Sequence, residues 1–380
     1  MKTVAVVVGT RPEAIKMAPV IHALQALDEF SVRVVNTGQH RELLAGVLEI
    51  FGLTADSSLE VMKEGQSLAS LTSRAILALE EEIKREQPDL VMVHGDTTTA
   101  MAAGLAAFYQ GVPVGHVESG LRTRNLKAPF PEELNRQILG RIADLNFAPT
   151  EWALDNLVAE SVNQKIFMTG NTVVDSASWV YKNYLSNEKW RQEKTREMSD
   201  LDALRETEKQ FVLITLHRRE NHGDAFSEIL SAIRSLAEEN PQIVFVFPVH
   251  PNPNIRKLAG AFLHGIANVA LCEPKDYLEF SLLLQGCIFA ISDSGGVQEE
   301  GVTFNTPVLV AREDTERPEG LASGLLHLVG SNREEILRLG QQLIDNPSRP
   351  TKSLNLDSNP FGDGRASERI AIAVREFLGA

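Results

Sequence analysis

Residues 90–99 read LVMVHGDTTT, residues 112–123 read VPVGHVESGLRT, and residues 129–136 read PFPEELNR. In the first two segments an apolar run passes directly into a polar cluster, and an alanine-rich helical stretch separates the two. Short apolar runs that alternate with helices are typical of buried parallel strands. The stretch therefore predicts an open α/β sheet whose polar clusters lie where strands end and helices begin, which is the edge at which such sheets bind ligands.

Three acidic residues reach that edge from successive loops. Asp96 and Glu118 each follow an apolar run, and Glu132 opens the next helix. A single acid at a helix start is commonly only a cap, because its carboxylate accepts hydrogen bonds from the first backbone N–H groups. Three acids on neighbouring strand ends instead predict a functional site.

Composition restricts the class of protein. A chain of 380 residues with 43% hydrophobic and 23% charged residues predicts a soluble protein of two domains. The net charge of −14 argues against nucleic-acid and anionic-membrane partners, and no apolar run is long enough to span a bilayer. Cys272 and Cys287 flank predicted strands, so we expect buried free thiols and a reducing cytoplasm. No spacing of His or Cys indicates a metal site.

The strand and helix pattern continues along the chain in two halves. The first half has strands predicted at 4–8, 32–35, 90–93, 112–117, 145–148 and 166–168, and a long helix at 67–84 whose packing face is Leu68, Leu71, Ala75, Leu79 and Ile83. Residues 171–210 change in character, beginning with a helix start at 170–175 and continuing with a charged and polar run at 182–209, and we interpret them as the crossing between domains. A second Rossmann-like half has strands at 211–216, 243–247, 269–272, 288–292 and 308–310, followed by a terminal helix at 366–378.

Several strand ends are suited to phosphate. Residues 292–300, SDSGGVQEE, place Ser294, Gly295 and Gly296 at a helix start, where backbone N–H groups and the helix dipole attract anions. Glu300 lies one turn further, where a carboxylate can bind ribose hydroxyls. An ordinary helix entry is the alternative. Further cations at strand ends are Arg11, Lys16, Arg218, Arg219 and Arg317, for which ordinary surface charges are the alternative. Residues 9–13, GTRPE, contain one glycine and are not a dinucleotide-binding fingerprint.

These motifs, in this order, resemble the non-hydrolysing UDP-N-acetylglucosamine 2-epimerases over essentially the whole chain. The motifs are GTRPE at 9–13, HGDTT at 94–98, HVESGLRT at 116–123, PEELNR at 131–136, HRREN at 217–221 and DSGGVQEE at 293–300. The resemblance implies a glycosyltransferase-B-like fold of two Rossmann-like domains, 1–170 with the C-terminal helix 364–380 and 171–363, with the active site in the cleft between them. It also implies a cytoplasmic homodimer that acts on UDP-N-acetylglucosamine and UDP without a cofactor or an essential metal.

Site residues follow from the resemblance by position. The resemblance implies catalytic roles for Asp96, Glu118, Glu132 and His217. It implies substrate binding by Arg11, Lys16, Lys275, Phe280, Ser294, Gly295, Gly296, Glu300 and Arg317. Bacterial members also bind a second UDP-N-acetylglucosamine as an activator, and Gln39, Arg74 and His250 are similar to that site.

The chemistry of C2 inversion fits these residue types. Removing the unactivated C2 proton becomes feasible when UDP leaves C1 in the same elimination, and re-addition of UDP after protonation of the other face gives the C2 epimer. Such a reaction needs an acid and a base on opposite faces, for which we assign Asp96 and Glu118 with support from Glu132. His217, Arg11 and the Ser294–Gly296 helix start would stabilise the departing UDP. A hydrolysing epimerase that gives free N-acetylmannosamine, a glycosyltransferase on the same fold and a non-catalytic sugar-nucleotide sensor are the alternatives.

Overall fold

The computed structural model describes residues 1–38, 41–63, 65–162, 164–201, 210–217, 224–347 and 353–380, and for residues 41–43 the backbone alone. The chain divides into two compact units. The first comprises Met1–Ser176 with Phe361–Ala380, and the second comprises Ala177–Pro360. Among the described helices none is long and apolar enough to cross a membrane.

The described part of the first unit is built on a seven-stranded parallel sheet of order β3-β2-β1-β4-β5-β6-β7. Its strands are β1 (Lys2–Val8), β2 (Phe30–Asn36), β3 (Ser57–Ser58), β4 (Leu90–His94), β5 (Val114–Val117), β6 (Leu145–Ala148) and β7 (Lys165–Met168). β2 and β4 flank β1 on opposite sides, so the strand order reverses between β1 and β4. The loops after β1 and β4 therefore meet at a topological switch point, where open sheets bind ligands.

Helices cover this sheet. They are α1 (Arg11–Gln25), α2 (Arg41–Ile50), α3 (Leu68–Glu86), α4 (Thr98–Tyr109), α5 (Glu132–Ile142), α6 (Glu151–Ala159) and α7 (Thr172–Val180), which runs from the first unit into the second. The predicted packing face of α3 is buried at Leu71, Ala75, Leu79 and Ile83. It is wrong at Leu68, which is the first residue of α3 and is 41% exposed.

The second unit repeats the architecture, with six parallel strands described in the order β10-β9-β8-β11-β12-β13. The strands are β8 (Phe211–Thr215), β9 (Val244–Pro248), β10 (Val269–Cys272), β11 (Phe289–Ser292), β12 (Val308–Val310) and β13 (Leu326–Leu328). The helices are α8 (Glu188–Glu197), α9 (Asp224–Glu239), α10 (Pro253–Leu263), α11 (Tyr277–Gly286), α12 (Gly295–Thr303), α13 (Pro318–Leu321) and α14 (Arg333–Asp345), with a π-helix at Tyr181–Leu185 and a 3₁₀ turn at Ser199–Leu201. Here the order reverses between β8 and β11.

The segment predicted to cross between domains is helical where the structure describes it, since residues 171–201 contain α7, the π-helix and α8. Residues 202–209 of that segment lie outside the described part. The last helix, α15 (Ala366–Leu378), belongs to the first unit and packs against α1. Cys272 and Cys287 are buried free thiols, and burial raises the pKa of each to about 12.

Asp175 fixes the start of α15. Its carboxylate accepts hydrogen bonds from the backbone N–H groups of Ala366 (3.2 Å) and Ser367 (2.8 Å) and from the Ser367 hydroxyl. The first N–H groups of a helix have no carbonyl partner within the helix. Because Asp175 is only 5% exposed, removal of its carboxylate would leave these N–H groups buried without a hydrogen-bond partner.

We therefore expect Asp175→Ala to lower the free energy of unfolding by about 1–3 kcal/mol, the usual cost of buried donors left unsatisfied. Ser367→Ala, which keeps both backbone bonds, should cost less. Urea denaturation of both variants measures the difference. An unchanged midpoint for Asp175→Ala would contradict this account of how α15 is attached.

Candidate active site

The loops after β4 and β5 bring two acids to the carboxyl edge of the first sheet. The strands are paired in parallel with Val93 opposite His116 and His94 opposite Val117. Asp96 follows the end of β4 by two residues, and Glu118 follows β5 directly. The two carboxylates are close enough for Glu118 to raise the pKa of Asp96.

Asp96 is held by helix α5. Its Oδ2 accepts a hydrogen bond of 2.6 Å from Nη2 of Arg136, and its backbone carbonyl accepts one of 2.8 Å from Nδ2 of Asn135. Burial raises the pKa of the Asp96 carboxyl, the guanidinium of Arg136 lowers it, and the neighbouring Glu118 and Glu132 raise it. Burial is the largest of these effects, and the pKa of the Asp96 carboxyl is raised above its ordinary value, which suits a group that transfers a proton.

Glu118 has a different environment. Its backbone is in the left-handed region, with φ of 61°, a conformation that residues other than glycine adopt uncommonly. Its carboxylate forms a buried ion pair with Lys16, accepts a 3.4 Å hydrogen bond from Nδ2 of Asn171 and lies 3.7 Å from Nε2 of His94. The two acids of the pair thus have separate cationic partners.

Glu132 and Arg11 are two further residues of the first unit that the sequence predicts for this edge. Glu132 is the first residue of α5 and is half-buried, and its charge reaches Asp96 because it raises the pKa of that carboxyl. Arg11 is the first residue of α1 and is half-buried. Pro12 follows it at the second helical position.

His94 and His116 are buried and neutral. Burial lowers the pKa of His94 to about 4, and Glu118 only partly opposes this effect. Burial also lowers the pKa of His116 to about 3; its Nε2 lies 2.7 Å from the carbonyl oxygen of Gly95, to which it donates as the neutral ring. His116 thereby links β5 to the residue before Asp96.

These two histidines predict a loss of stability in acid. Because their folded pKa values lie below the ordinary 6.5, the unfolded chain binds more protons than the folded chain once the pH falls through about 6.5, and the loss grows until the folded values are reached. Lowering the pH from about 7.5 to about 5.5 should cost about 1 kcal/mol for each histidine.

Urea unfolding at both pH values tests this prediction. His116→Gln removes the titrating ring and should reduce the pH-dependent part of the unfolding free energy by about 1 kcal/mol. His264→Gln, which changes an exposed histidine, is the control variant. Equal pH dependence in wild type and His116→Gln would show that His116 is not buried in the neutral form.

The second unit carries a histidine–aspartate pair at its own sheet edge. Asp293 follows β11 and is fully buried, and its two carboxylate oxygens lie 3.1 and 3.0 Å from the backbone N–H of His217. Nδ1 of His217 is 3.3 Å from Oδ1 of Asp293, and the ring stacks on His250 with centroids 6.0 Å apart. The part-exposed His217 ring is thus oriented by two contacts, the Asp293 carboxylate and the His250 ring.

Helix α12 begins beside this pair. Ser294 is its N-cap and Gly295 and Gly296 are its first residues. A side chain at Gly295 would lie 2.6 Å from Nη1 of Arg317, so only glycine lets the guanidinium lie against the helix start. Arg317 is bound to Glu299 (2.6 Å) and Glu316 (3.2 Å). Glu300, one turn into α12, is also buried.

The remaining predicted residues are more dispersed. Lys275 is buried and bound to both carboxylate oxygens of Asp200, at 2.6 and 2.7 Å, and Phe280 is half-buried on α11. Arg74 donates to the carbonyl of Val61 and to the hydroxyl of Ser70. Gln39, Arg218 and Arg219 lie outside the described residues. Within the described ranges no three His, Cys, Asp or Glu side chains are grouped so as to hold a metal ion.

Sequence reasoning missed the residues that hold the predicted ones in place. These are Asn171 and Arg136 for the acids of the first unit and Asp293 for His217. Asn171 and Asp293 each follow a strand end, which was the available signal. Arg136 lies inside a helix and gives no such signal.

Comparison with known proteins agrees with this architecture. The family model described as UDP-N-acetylglucosamine 2-epimerase matches residues 22–375. A UDP-N-acetylglucosamine 2-epimerase of Yersinia pestis is 43% identical over 373 residues, which cover 98% of each chain. The crystal structure of the UDP-GlcNAc 2-epimerase from Neisseria meningitidis bound to UDP-GlcNAc superposes with a TM-score of 0.90 at 44% identity, covering 99% of this chain and 100% of that one. The S. aureus MnaA–UDP co-structure superposes with a TM-score of 0.86 at 41% identity, covering 100% of this chain and 97% of that one.

Two parallel α/β units of this kind define a glycosyltransferase-B-like protein. Within that class, the extent of the family match and the identity over nearly full length decide the family. The chain belongs to the UDP-N-acetylglucosamine 2-epimerases and is an isomerase.

Proposed function

We propose that this protein interconverts UDP-N-acetylglucosamine and UDP-N-acetylmannosamine without hydrolysis, by eliminating UDP to 2-acetamidoglucal and adding it back. The observation that carries the proposal is the pair of acids Asp96 and Glu118, which lie on adjacent loops and have separate counter-ions, Arg136 and Lys16. Carboxyl groups whose environments differ can act as acid and base in one reaction.

The proposed reaction balances in two steps. In the first, a carboxylate takes the C2 proton, the C2–H electron pair forms the C1=C2 bond, and the C1–O pair leaves with UDP. In the second, a carboxyl group protonates C2 on the opposite face, and an oxygen of the β-phosphate attacks C1. We assign these proton transfers to Asp96 and Glu118, with Glu132 in support. Water takes no part, which separates this reaction from hydrolysis to N-acetylmannosamine.

The second unit would bind the nucleotide. Ser294, Gly295 and Gly296 offer a helix start whose N–H groups and dipole attract phosphate. His217 would stabilise the negative charge on the departing UDP, a task for which Asp293 pre-orients its ring. Arg317, whose guanidinium lies against Gly295, would add positive charge at this helix start. Glu300 would bind ribose hydroxyls, and Lys275 and Phe280 would contact the uridine. Arg11 and Lys16 are the corresponding cations of the first unit. The Neisseria relative is bound to UDP-GlcNAc, which supports this choice of ligand.

We extend the proposal to assembly, location and regulation. Exposed apolar side chains on α3 and α4, namely Leu77, Phe108 and Tyr109, support a homodimer. Buried thiols suit a reducing cytoplasm. The product would serve the synthesis of cell-envelope or capsular polysaccharide precursors. Arg74 and His250, with Gln39, would bind an activating second UDP-N-acetylglucosamine.

Incubation with UDP-N-acetylglucosamine alone in D2O tests the reaction. Because a side chain in exchange with solvent returns the proton, the expected product is UDP-N-acetylmannosamine carrying deuterium at C2, and the substrate pool should become labelled too. Proton NMR with mass spectrometry measures both. Free N-acetylmannosamine would indicate a hydrolase, a requirement for an acceptor would indicate a transferase, and protium retained at C2 would refute the elimination.

Two variants test the residue assignment. Asp96→Asn and Glu118→Gln keep the shape of each side chain but remove its basicity, so each should lower turnover by roughly 10²–10⁴, with UDP affinity much less affected. Asp89→Asn is the control, because Asp89 lies at the opposite end of β4 and binds Lys2 and the backbone of Thr3. Near-normal turnover in both test variants would refute the assignment.

A further inference from the structure

We propose that Glu13 is a positioning residue of the epimerase site, and that it holds the Asp96 loop in register with the turn after β1. The inference rests on the role proposed above for Asp96. Glu13 ends the GTRPE motif, and none of the roles assigned so far uses it. Its carboxylate bridges the two loops that meet at the switch point between β1 and β4.

The two oxygens of Glu13 bind different loops. Oε2 accepts hydrogen bonds from the backbone N–H groups of Gly9 (3.0 Å) and Thr10 (2.6 Å) and from the Thr10 hydroxyl (2.8 Å). Oε1 accepts a 2.7 Å hydrogen bond from the hydroxyl of Thr97, 84 positions away. Glu13 is 2% exposed, so these four donors take the place of water around the buried group.

Capping of α1 explains only half of this arrangement. A glutamate at the third position of a helix commonly reaches back to the N-cap backbone, as Oε2 does here. That task does not require a contact from Oε1 to another loop. The partner of Oε1 is also well placed, because Thr97 follows Asp96 directly and caps α4 by accepting a 3.0 Å hydrogen bond from the N–H of Ala100.

The two turns are also in direct contact. A Cβ atom on Gly9 would lie 2.7 Å from Oγ1 of Thr99, so the turn after β1 is packed directly against the start of α4. One helical turn beyond Glu13, Lys16 forms the buried ion pair with Glu118. The position of α1 therefore affects both proposed proton-transfer residues, Glu118 through Lys16 and Asp96 through Glu13 and Thr97.

Proton transfer is sensitive to such placement. A displacement of about 1 Å at a reacting group can cost about 10²-fold in rate. Glu13→Gln keeps an amide oxygen for the N–H groups of Gly9 and Thr10 but turns an NH2 group towards Thr97, so the contact to the Asp96 loop is the one that changes. Thr97→Val removes the hydroxyl from the other side, and Thr97→Ser retains it.

The experiment compares these variants in the D2O assay and in hydrogen–deuterium exchange of the backbone. We expect Glu13→Gln and Thr97→Val each to lower turnover about 10- to 100-fold, and Thr97→Ser to keep turnover within about threefold of wild type. Because both changes break the same contact, the turnover of the double variant Glu13→Gln/Thr97→Val should be no lower than that of the less active single variant. Affinity for UDP should change less than about threefold. Amide exchange in residues 95–101 should quicken in Glu13→Gln.

Asn332→Ala is the matched control, since Asn332 belongs to the second unit and caps α14 through the N–H of Glu335. It costs a helix cap of similar value, about 1 kcal/mol, and should leave turnover and exchange in residues 95–101 unaltered. Full turnover in Glu13→Gln, additive losses in the double variant, or an equal loss of turnover in Asn332→Ala would overturn the inference.

The exchange measurement keeps this inference separate from the proposed reaction. If the wild type fails to label C2, the elimination mechanism fails, yet quickened exchange in residues 95–101 still supports the bridge between the loops. If the wild type labels C2 and exchange in residues 95–101 is the same in Glu13→Gln as in wild type, the bridge is refuted and the reaction stands.

Discussion

Carboxylates taken out of water at the edge of the first sheet need cations beside them, and much of the first unit is arranged to supply these. Burial makes the ionised form of an acid costly, and an adjacent cation offsets that cost. Glu118 has Lys16 from α1, and Asp96 has Arg136 from α5. Both cations are at least nine-tenths buried, and removal of either one would leave its partner carboxylate without the cation that it is paired with.

This electrostatic arrangement accounts for the local backbone as well. Glu118 adopts a left-handed conformation immediately after β5, and Gly95 does so between β4 and Asp96. Gly95 adopts this conformation without strain because it has no Cβ atom. For Glu118 the conformation is costly and persists where the surroundings over-determine it, here through the buried ion pair with Lys16. The hydrogen bond between His116 and the Gly95 carbonyl holds the neighbouring loop. Packing, charge and backbone conformation therefore act together to present two acids at one edge.

The strands and strand-end acids could be predicted because they are local patterns. Continuous apolar runs identified β4, β6 and β10 to within a residue, and polar clusters after them identified the edge. The edge strands β3 and β13 were missed because neither is a continuous apolar run: β3 consists of two serines, and β13 reads LHL. The partners of the acids could not be predicted, since Arg136 is 40 positions from Asp96 and Lys16 is 102 positions from Glu118.

In the second unit, too, the partners of a predicted residue could not be read from the sequence. Arg317 was predicted as a strand-end cation for phosphate, and the structure places it against Gly295, neutralised by Glu299 and Glu316. Its charge reaches the helix start while its hydrogen bonds are shared with two acids. An anion at Ser294 would therefore bind chiefly to backbone N–H groups and the helix dipole, with Arg317 in a supporting position.

The central claim is that UDP leaves C1 and returns during each inversion, and the bond to the leaving oxygen reports this directly. Substrate carrying ¹⁸O in the bridge between C1 and the β-phosphorus would be incubated until it is partly epimerised. Once the C1–O bond breaks, the β-phosphate can rotate and return through a different oxygen. The account predicts that ¹⁸O moves into the non-bridging β-phosphate positions, seen as a shift of the ³¹P NMR signal. Epimerisation with all of the ¹⁸O still in the bridge would contradict it.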